Sequence, residues 1–168
     1  MPNRNCNNVT IHATMDDVLA WLVPLDHGGY TFDLRKLFPD RVRGGDDDRE
    51  LIDGCSELTG SKWNPRIDYC EDFGTTTALG YDSARSPNNG TLERLHELTG
   101  WTIENEYEEP GVGFEGTFIC DGGSCSDDER EYRPLCDVCD EKKAASEFDN
   151  DYEDGTVCNA CLANKPVS

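Results

Sequence analysis

The sequence predicts an α+β fold in two parts, and three observations carry that expectation. Residues 1–120 alternate short β-rich runs with two helical stretches. Six of the nine cysteines (Cys120, Cys125, Cys136, Cys139, Cys158, Cys161) fall in the last 49 residues. Between the two parts lies a polar run, Asp121-Gly122-Gly123-Ser124-Cys125-Ser126-Asp127-Asp128-Glu129-Arg130, so residues 121–133 are expected to form an acidic hinge.

The first expected strand is Asn8 to Ala13, with Val9, Ile11 and Ala13 on one face. Thr14 then supplies a helix cap with acidic Asp17 three residues on, and Val18, Leu19 and Leu22 follow at helical spacing until Pro24 ends the helix. Tyr30 to Leu34 reads as a strand and Leu37-Phe38-Pro39 as an apolar plug. Residues 40–50 have loop composition, and Leu51 to Leu58 suits a helical turn. Ser61-Lys62-Trp63-Asn64-Pro65 leads into a hairpin, Arg66 to Cys70 outward and Thr75 to Tyr81 back. Asn88-Asn89-Gly90 reads as a turn and Thr91 as a cap, with Leu92, Leu95 and Leu98 leading to a stop at Gly100. Trp101 to Tyr107 alternates, Pro110-Gly111 turns, and Gly113 to Cys120 makes a final strand.

In order, these elements run strand–helix–strand–strand–helix–strand, with one additional strand. That is the topology of a split βαβ, or ferredoxin-like, sandwich: an antiparallel sheet with two helices on one face. Its crossovers are expected to be right-handed. The term describes topology and implies no iron–sulfur cluster.

In the tail, Cys136-Asp137-Val138-Cys139 is answered after 18 residues by Cys158-Asn159-Ala160-Cys161. A two-residue gap lets both sulfurs of a hook turn toward one point, and two hooks complete a tetrahedron. Residues 134–168 are therefore expected to form a zinc-ribbon or treble-clef-like module around one structural Zn²⁺ held by Cys136, Cys139, Cys158 and Cys161. Four thiolates leave no open position for water, so such a metal would hold structure and perform no chemistry. A rival ligand set joins Cys120 and Cys125 to Cys136 and Cys139, but it strands the second hook. Cys6, Cys55 and Cys70 are scattered and read as small core or surface thiols.

The formal charge is −20. Residues 1–120 carry 10 basic and 22 acidic groups, and residues 121–168 carry 5 and 13, so the acidity belongs to both parts. Such a surface repels nucleic acid and anionic membranes and favours basic partners; solubility or adaptation to salt is the plainer reading of it. No run of about 18 apolar residues suggests a membrane span. The opening Met1-Pro2-Asn3-Arg4-Asn5-Cys6 lacks the apolar core of a signal peptide, so a cytoplasmic protein is expected, with its cysteines serving metal more than disulfides.

Met1-Pro2-Asn3 with Asn8-Val9-Thr10-Ile11, Phe32-Asp33-Leu34 leading to Phe38-Pro39, and Gly60-Ser61-Lys62-Trp63-Asn64 together resemble the YubB-like ferredoxin-like family of plasmid and phage proteins. Tyr107-Glu108-Glu109-Pro110-Gly111-Val112-Gly113-Phe114-Glu115-Gly116 looks like that family's closing hairpin. The resemblance covers most of residues 1–120 and departs around residues 72–88 and at Cys6. It implies an origin in a phage or mobile element and no assigned catalysis. The tail, from about Leu135 to Leu162, resembles small zinc modules found beside HNH endonucleases. There Lys142-Lys143 and Ser146-Glu147-Phe148 follow the first hook, Phe148 would plug the core, and Gly155 would turn the chain back.

Other motifs fail on context. Gly111-Val112-Gly113-Phe114-Glu115-Gly116 fits G-x-G-x-x-G, but a strand follows where a dinucleotide site needs a helix, and Glu104, Glu106, Glu108 and Glu109 crowd the approach. Asp149 to Gly155 hints at a calcium loop, but its glycine is out of register and no Glu closes it. His12, His27 and His96 are isolated, and no catalytic residue stands out. Trp21, Trp63 and Trp101 read as core anchors, Trp63 alternatively as a contact residue.

The expected function is a non-enzymatic binding protein of phage or mobile-element origin that engages a host protein with a basic surface, as a nucleic-acid (DNA) mimic or anti-defence inhibitor. Direct nucleic-acid binding, through Arg35-Lys36, Arg41, Arg43 or Lys142-Lys143, is disfavoured by the charge. A nucleic-acid-associated accessory zinc protein and a structural or virion component are the alternatives.

Overall fold

The computed structural model describes residues 4–41, 56–143 and 157–163. Its centre is an eight-stranded sheet: β1 (Arg4–Ile11), β2 (Leu22–Pro24), β3 (Tyr30–Phe32), β4 (Arg66–Asp72), β5 (Thr77–Ala84), β6 (Ile103–Glu109), β7 (Phe114–Asp121) and β8 (Ser124–Glu131). The spatial order is β2-β3-β4-β5-β1-β6-β7-β8, and every neighbouring pair is antiparallel. Helices are few: α1 (Met15–Leu19), α2 (Leu34–Leu37), α3 (Asn89–Thr99) and, in the tail, α4 (Asn159–Ala163). The architecture is α+β, wider than the sheet expected from the sequence.

Alternation decides which side of each strand faces the helices. On β1 the buried positions are Asn5, Asn7, Val9 and Ile11. They share a face with Leu79 and Tyr81 of β5, Ile103 and Tyr107 of β6, and Phe118 and Cys120 of β7. Val18 of α1, Leu34 and Leu37 of α2, and Leu92 and Leu95 of α3 close over that face. Each such side chain contributes about 1.5–3 kcal/mol when removed from water. α3 ends as expected, with Gly100 left-handed (φ 73) and its N–H bonded to the His96 carbonyl at 2.7 Å. Its N-cap position is Asn88, so the helix begins two residues before Thr91, which is itself buried.

Several elements differ from expectation. Thr14 caps α1 by accepting from the Asp17 N–H, but the helix stops at Leu19, and Leu22–Pro24 pairs with Tyr30–Phe32 as a short hairpin. Strand pairing wins there because Leu22-Val23-Pro24 can bond β3, and Pro24 would break a longer helix. Asp33 accepts from the Lys36 N–H and starts α2, a helical turn in place of the apolar plug. Residues 56–59 are helical; 42–55, including most of the expected loop and Cys55, lie outside the described residues.

The expected hinge over residues 121–133 is a hairpin. Gly122 (φ 57) and Gly123 (φ 83) both have positive φ, which is the two-residue turn that matches strand twist. The turn sets Asp121 opposite Ser124 and carries β8 along the whole of β7 to Phe114↔Glu131. It also places Cys120 opposite Cys125, and the two form a disulfide.

A polar seam crosses the core. Asn7 Nδ2 donates to Ser83 Oγ at 2.8 Å; Asn105 Nδ2 donates to Asn7 Oδ1 and to Asn89 Oδ1, both at 3.0 Å; Asn89 Nδ2 donates to Asp127 Oδ2 at 3.0 Å. One chain of side chains thus links β5, β1, β6, the start of α3, and β8. Asn105 Oδ1 has no partner among the described residues, but the paired groups of the seam still favour this register, because a slip would leave them unpaired as well.

Candidate metal centre and acidic sheet face

After β8 the chain makes a tight knuckle. Leu135 bridges to Lys142, the Cys136 N–H bonds the Glu141 carbonyl at 3.0 Å, and the Asp140 N–H bonds the Cys136 carbonyl at 2.9 Å. Asp140 takes positive φ (54) to turn the loop, a conformation Asp tolerates better than most residues. The second hook opens α4, where the Cys161 N–H bonds the Cys158 carbonyl at 2.9 Å. Val157 packs against Cys136 and Cys158.

These two local structures bring Cys136, Cys139, Cys158 and Cys161 together, with one ligand atom from each lying within 4.8 Å of all the others. Cys139 Sγ and Cys158 Sγ are 4.0 Å apart. Sulfurs about 2.3 Å from a common tetrahedral ion would be about 3.8 Å apart, so the donor set fits one metal ion. Cys136 and Cys158 are buried and the other two half-buried.

The electrostatics of the bare thiols fit the same use. The Cys158 N–H donates to Cys136 Sγ at 3.3 Å and, against burial and helped by the Cys139 and Val138 amides, lowers the Cys136 pKa to about 6. Cys161 is pushed up to about 12, first by its hydrogen bond to the Cys158 thiol and then by burial. Four thiols this close resist joint ionisation, and a cation removes that resistance.

Cys120 and Cys125 are consumed by their disulfide, so the rival ligand set that included them is incorrect. Hairpin register brings that pair together, and the ligand-like spacing in the sequence is incidental. Phe148, Gly155 and the calcium-like run from Asp149 lie outside the described residues. Among the histidines, His12 Nε2 is 3.6 Å from Glu104, and His96 Nδ1 meets the Trp101 carbonyl at 2.7 Å. Trp63 is half-exposed (39%) in a surface cleft with Arg4, Arg66, Asp68 and Asp82.

The second feature is the sheet face away from the helices. Register places Glu104, Glu106 and Glu108 of β6 there, beside Thr10, Asn8 and Cys6 of β1, with Asp82 of β5 and Asp128 of β8 on the same side. Residues two apart on a strand repeat about every 6.8 Å. The Cys6 thiol reports this field: burial, then Asp82, Glu108 and Glu109, push it up to about 11.

Glu115 sits on this face and is largely buried (7%). Its carboxylate accepts from Arg130 Nε at 3.0 Å and from Lys142 Nζ at 3.3 Å. Burial opposes its ionisation, but the two cations outweigh burial and hold its pKa below the usual value. Lys142 comes three residues after Cys139, so this ion pair fastens the cysteine knuckle to the sheet. An open cleft of about 280 Å³ between them is lined by Glu106, Glu108, Glu115, Thr117, Arg130 and Lys142. Sequence reading missed Glu115 because nothing local distinguishes it from the neighbouring solvated glutamates.

No family model and no curated protein match the chain. Among solved structures it is similar to the crystal structure of the protein api92 from Yersinia pseudotuberculosis, of the DUF1281 family, at 26% identity and a TM-score of 0.39. The match covers 49% of this chain and 30% of that one.

Proposed function

We propose that this chain is a non-catalytic binding protein, stapled by one structural Zn²⁺, that presents its acidic sheet face to a basic surface on a host protein. The observation that carries the reading is the alignment of Glu104, Glu106 and Glu108 on the face that no described helix covers, flanked by Asp82 and Asp128. A row of fixed carboxylates on a rigid sheet can stand in for phosphates, and its field speeds encounter with a cationic partner. Zinc is the metal of choice for four thiolates in a closed tetrahedron, and a knuckle followed by a helix-borne hook suits a treble-clef-like module. The inner strands β4-β5-β1-β6 have the order of a split βαβ sandwich. In this reading β2, β3, β7 and β8 extend a ferredoxin-like centre. An origin in a phage or mobile element rests on the resemblance of residues 1–120, and an anti-defence role in the host cytoplasm, as a nucleic-acid mimic, rests on the acidic face.

Direct nucleic-acid binding is the weaker alternative, since several of the cations it needs are engaged. Lys36 Nζ lies 4.3 Å over the Trp21 ring, Lys142 holds Glu115, and Lys143 lies 2.9 Å from Glu141. The test is capture of a basic protein from host lysate, followed by affinity measurement across salt concentration. Affinity is expected to fall steeply with salt and to collapse in the triple variant Glu104→Lys, Glu106→Lys, Glu108→Lys. A flat salt profile, or a triple variant that binds as well as the native chain, would reject the reading.

A further inference from the structure

The two edges of the sheet are unlike. β2 offers three residues and ends on Pro24, a blunt edge. β8 offers eight residues, paired to β7 along its whole length, and no described strand lies on its other side.

The register identifies which main-chain groups are free. The Cα atoms of Cys120 and Cys125 are 4.1 Å apart, the narrow spacing of a non-hydrogen-bonded antiparallel pair. Beyond β8, the Tyr132 N–H bonds the Gly113 carbonyl at 2.9 Å, so the even-numbered residues are those that bond toward β7. The N–H and C=O groups of Cys125, Asp127, Glu129 and Glu131 therefore point outward.

This edge is also held rigid. The disulfide ties its start. Tyr107 Oη donates to Asp127 Oδ1 at 2.5 Å, Asn89 Nδ2 donates to Asp127 Oδ2 at 3.0 Å, and Arg130 is fixed on Glu115. A strand already ordered loses little entropy on pairing, which favours binding. Its side chains then select the occupant. Asp127, Asp128, Glu129 and Glu131 outnumber Arg130, so a second copy of β8 would set acid against acid across the ladder. A cationic strand would find complementary charge there.

We propose that the outer edge of β8 is a docking site at which an extended Lys- or Arg-rich segment of another protein adds to the sheet as a further strand. Main-chain bonds to Asp127 and Glu129 supply affinity, and the alternating carboxylates supply selectivity. The proposal deepens the reading of a basic partner and rests on it, while assigning the contact to an edge and not to the carboxylate face.

The test uses the full chain and an end-capped peptide alternating Lys and Thr, as long as β8. Two controls of equal charge accompany it: the same peptide N-methylated at alternate residues, and one alternating Lys and Pro. The Lys-Thr peptide is expected to bind and to slow amide exchange at Asp127 and Glu129, and the controls to bind at least about tenfold more weakly, as expected for loss of two or more hydrogen bonds. Glu129→Pro, which removes an outward N–H and leaves the β7 ladder intact, should weaken binding more than Glu129→Gln, which removes only charge. Equal affinity for the Lys-Thr and control peptides, or protection confined to β6, overturns edge docking and leaves the acidic-surface reading standing. Absence of binding by all three peptides at low salt overturns both.

Discussion

Tyr107 reaches across β7 to Asp127: its hydroxyl donates to Asp127 Oδ1 at 2.5 Å, two strands away on β8. Gly116 makes this reach available. It lies opposite Tyr107 on β7, and a Cβ added there would run into the tyrosine ring. Burial, then Asp127, raise the Tyr107 phenol above its ordinary pKa, so it stays a donor throughout the physiological range. Glycine weakens a strand on its own account, and here the ring occupies the space that a side chain would take. The central sheet, the acidic edge and the Asn89 end of α3 are joined through this contact.

Tyr107→Phe should cost about 1.5–3 kcal/mol, the range for a hydrogen bond to a charged group. Gly116→Ala should cost about 1–3 kcal/mol by displacing the ring. Because both act on one contact, the double variant should lose less than the sum in urea unfolding. Additive losses would mean that Gly116 serves some other neighbour.

Asn105 is the centre of the polar seam, donating to both Asn7 and Asn89. Asn105→Leu leaves the buried Asn7 Oδ1 and the half-buried Asn89 Oδ1 without that donor and should cost about 2 kcal/mol in urea unfolding. A loss below about 1 kcal/mol would show that the seam adds little to stability.

Glu109 and Glu115 should have opposite pH signatures. Glu109 is almost fully buried (1%), and burial raises its pKa against the bonds from the Gly111 and Val112 amides. A raised folded pKa means its contribution is greatest when protonated and is lost as pH rises from the unfolded value of 4.5 through the folded one. Glu109→Gln should therefore stabilise the fold at neutral pH, by on the order of 1 kcal/mol, and change little in acid. The pKa of Glu115 is lowered, so its contribution is full above 4.5 and is lost as pH falls through the folded value. Glu115→Gln should destabilise at neutral pH, by on the order of 2 kcal/mol, and have less effect in acid. Urea unfolding of both variants across pH checks the signs; like-signed effects would contradict the assignment.

The tail should bind one equivalent of metal per chain, measured by elemental analysis. Removing it by chelation, or by Cys158→Ser, should release the Cys136 and Asp140 amides to exchange while the circular dichroism of the sheet persists. Structural zinc sites contribute on the order of 10 kcal/mol to small modules, so the knuckle should not survive without it. Retained protection at Cys136 in the metal-free chain would show that the knuckle folds on its own.

What could be read in advance was local. Two Cys-x-x-Cys hooks encode their own geometry, and Gly100 marks the end of α3 wherever the helix packs. Val9 and Ile11 alternate in a way that only a half-buried strand explains. The sequence of β8 suggests a hinge because Ser124 to Glu131 has no apolar alternation to announce a strand. Its pairing comes from the Gly122-Gly123 turn and from β7, and an edge strand needs no apolar face of its own.

The sequence by itself determined the cysteine hooks, the apolar stripes of the strands and α3, and the net acidity, because each depends on residues a few positions apart. Only the tertiary structure decided that Asn7 and Asn105 belong in the core, that Cys120 pairs with Cys125, and that Glu115 is clasped while Glu104, Glu106 and Glu108 share the face that no described helix covers. Asn105 meets a partner 98 residues away and Glu115 one 27 residues away. Whether a polar side chain is buried depends on finding a partner at such separations, and no periodicity within a strand records where that partner will be.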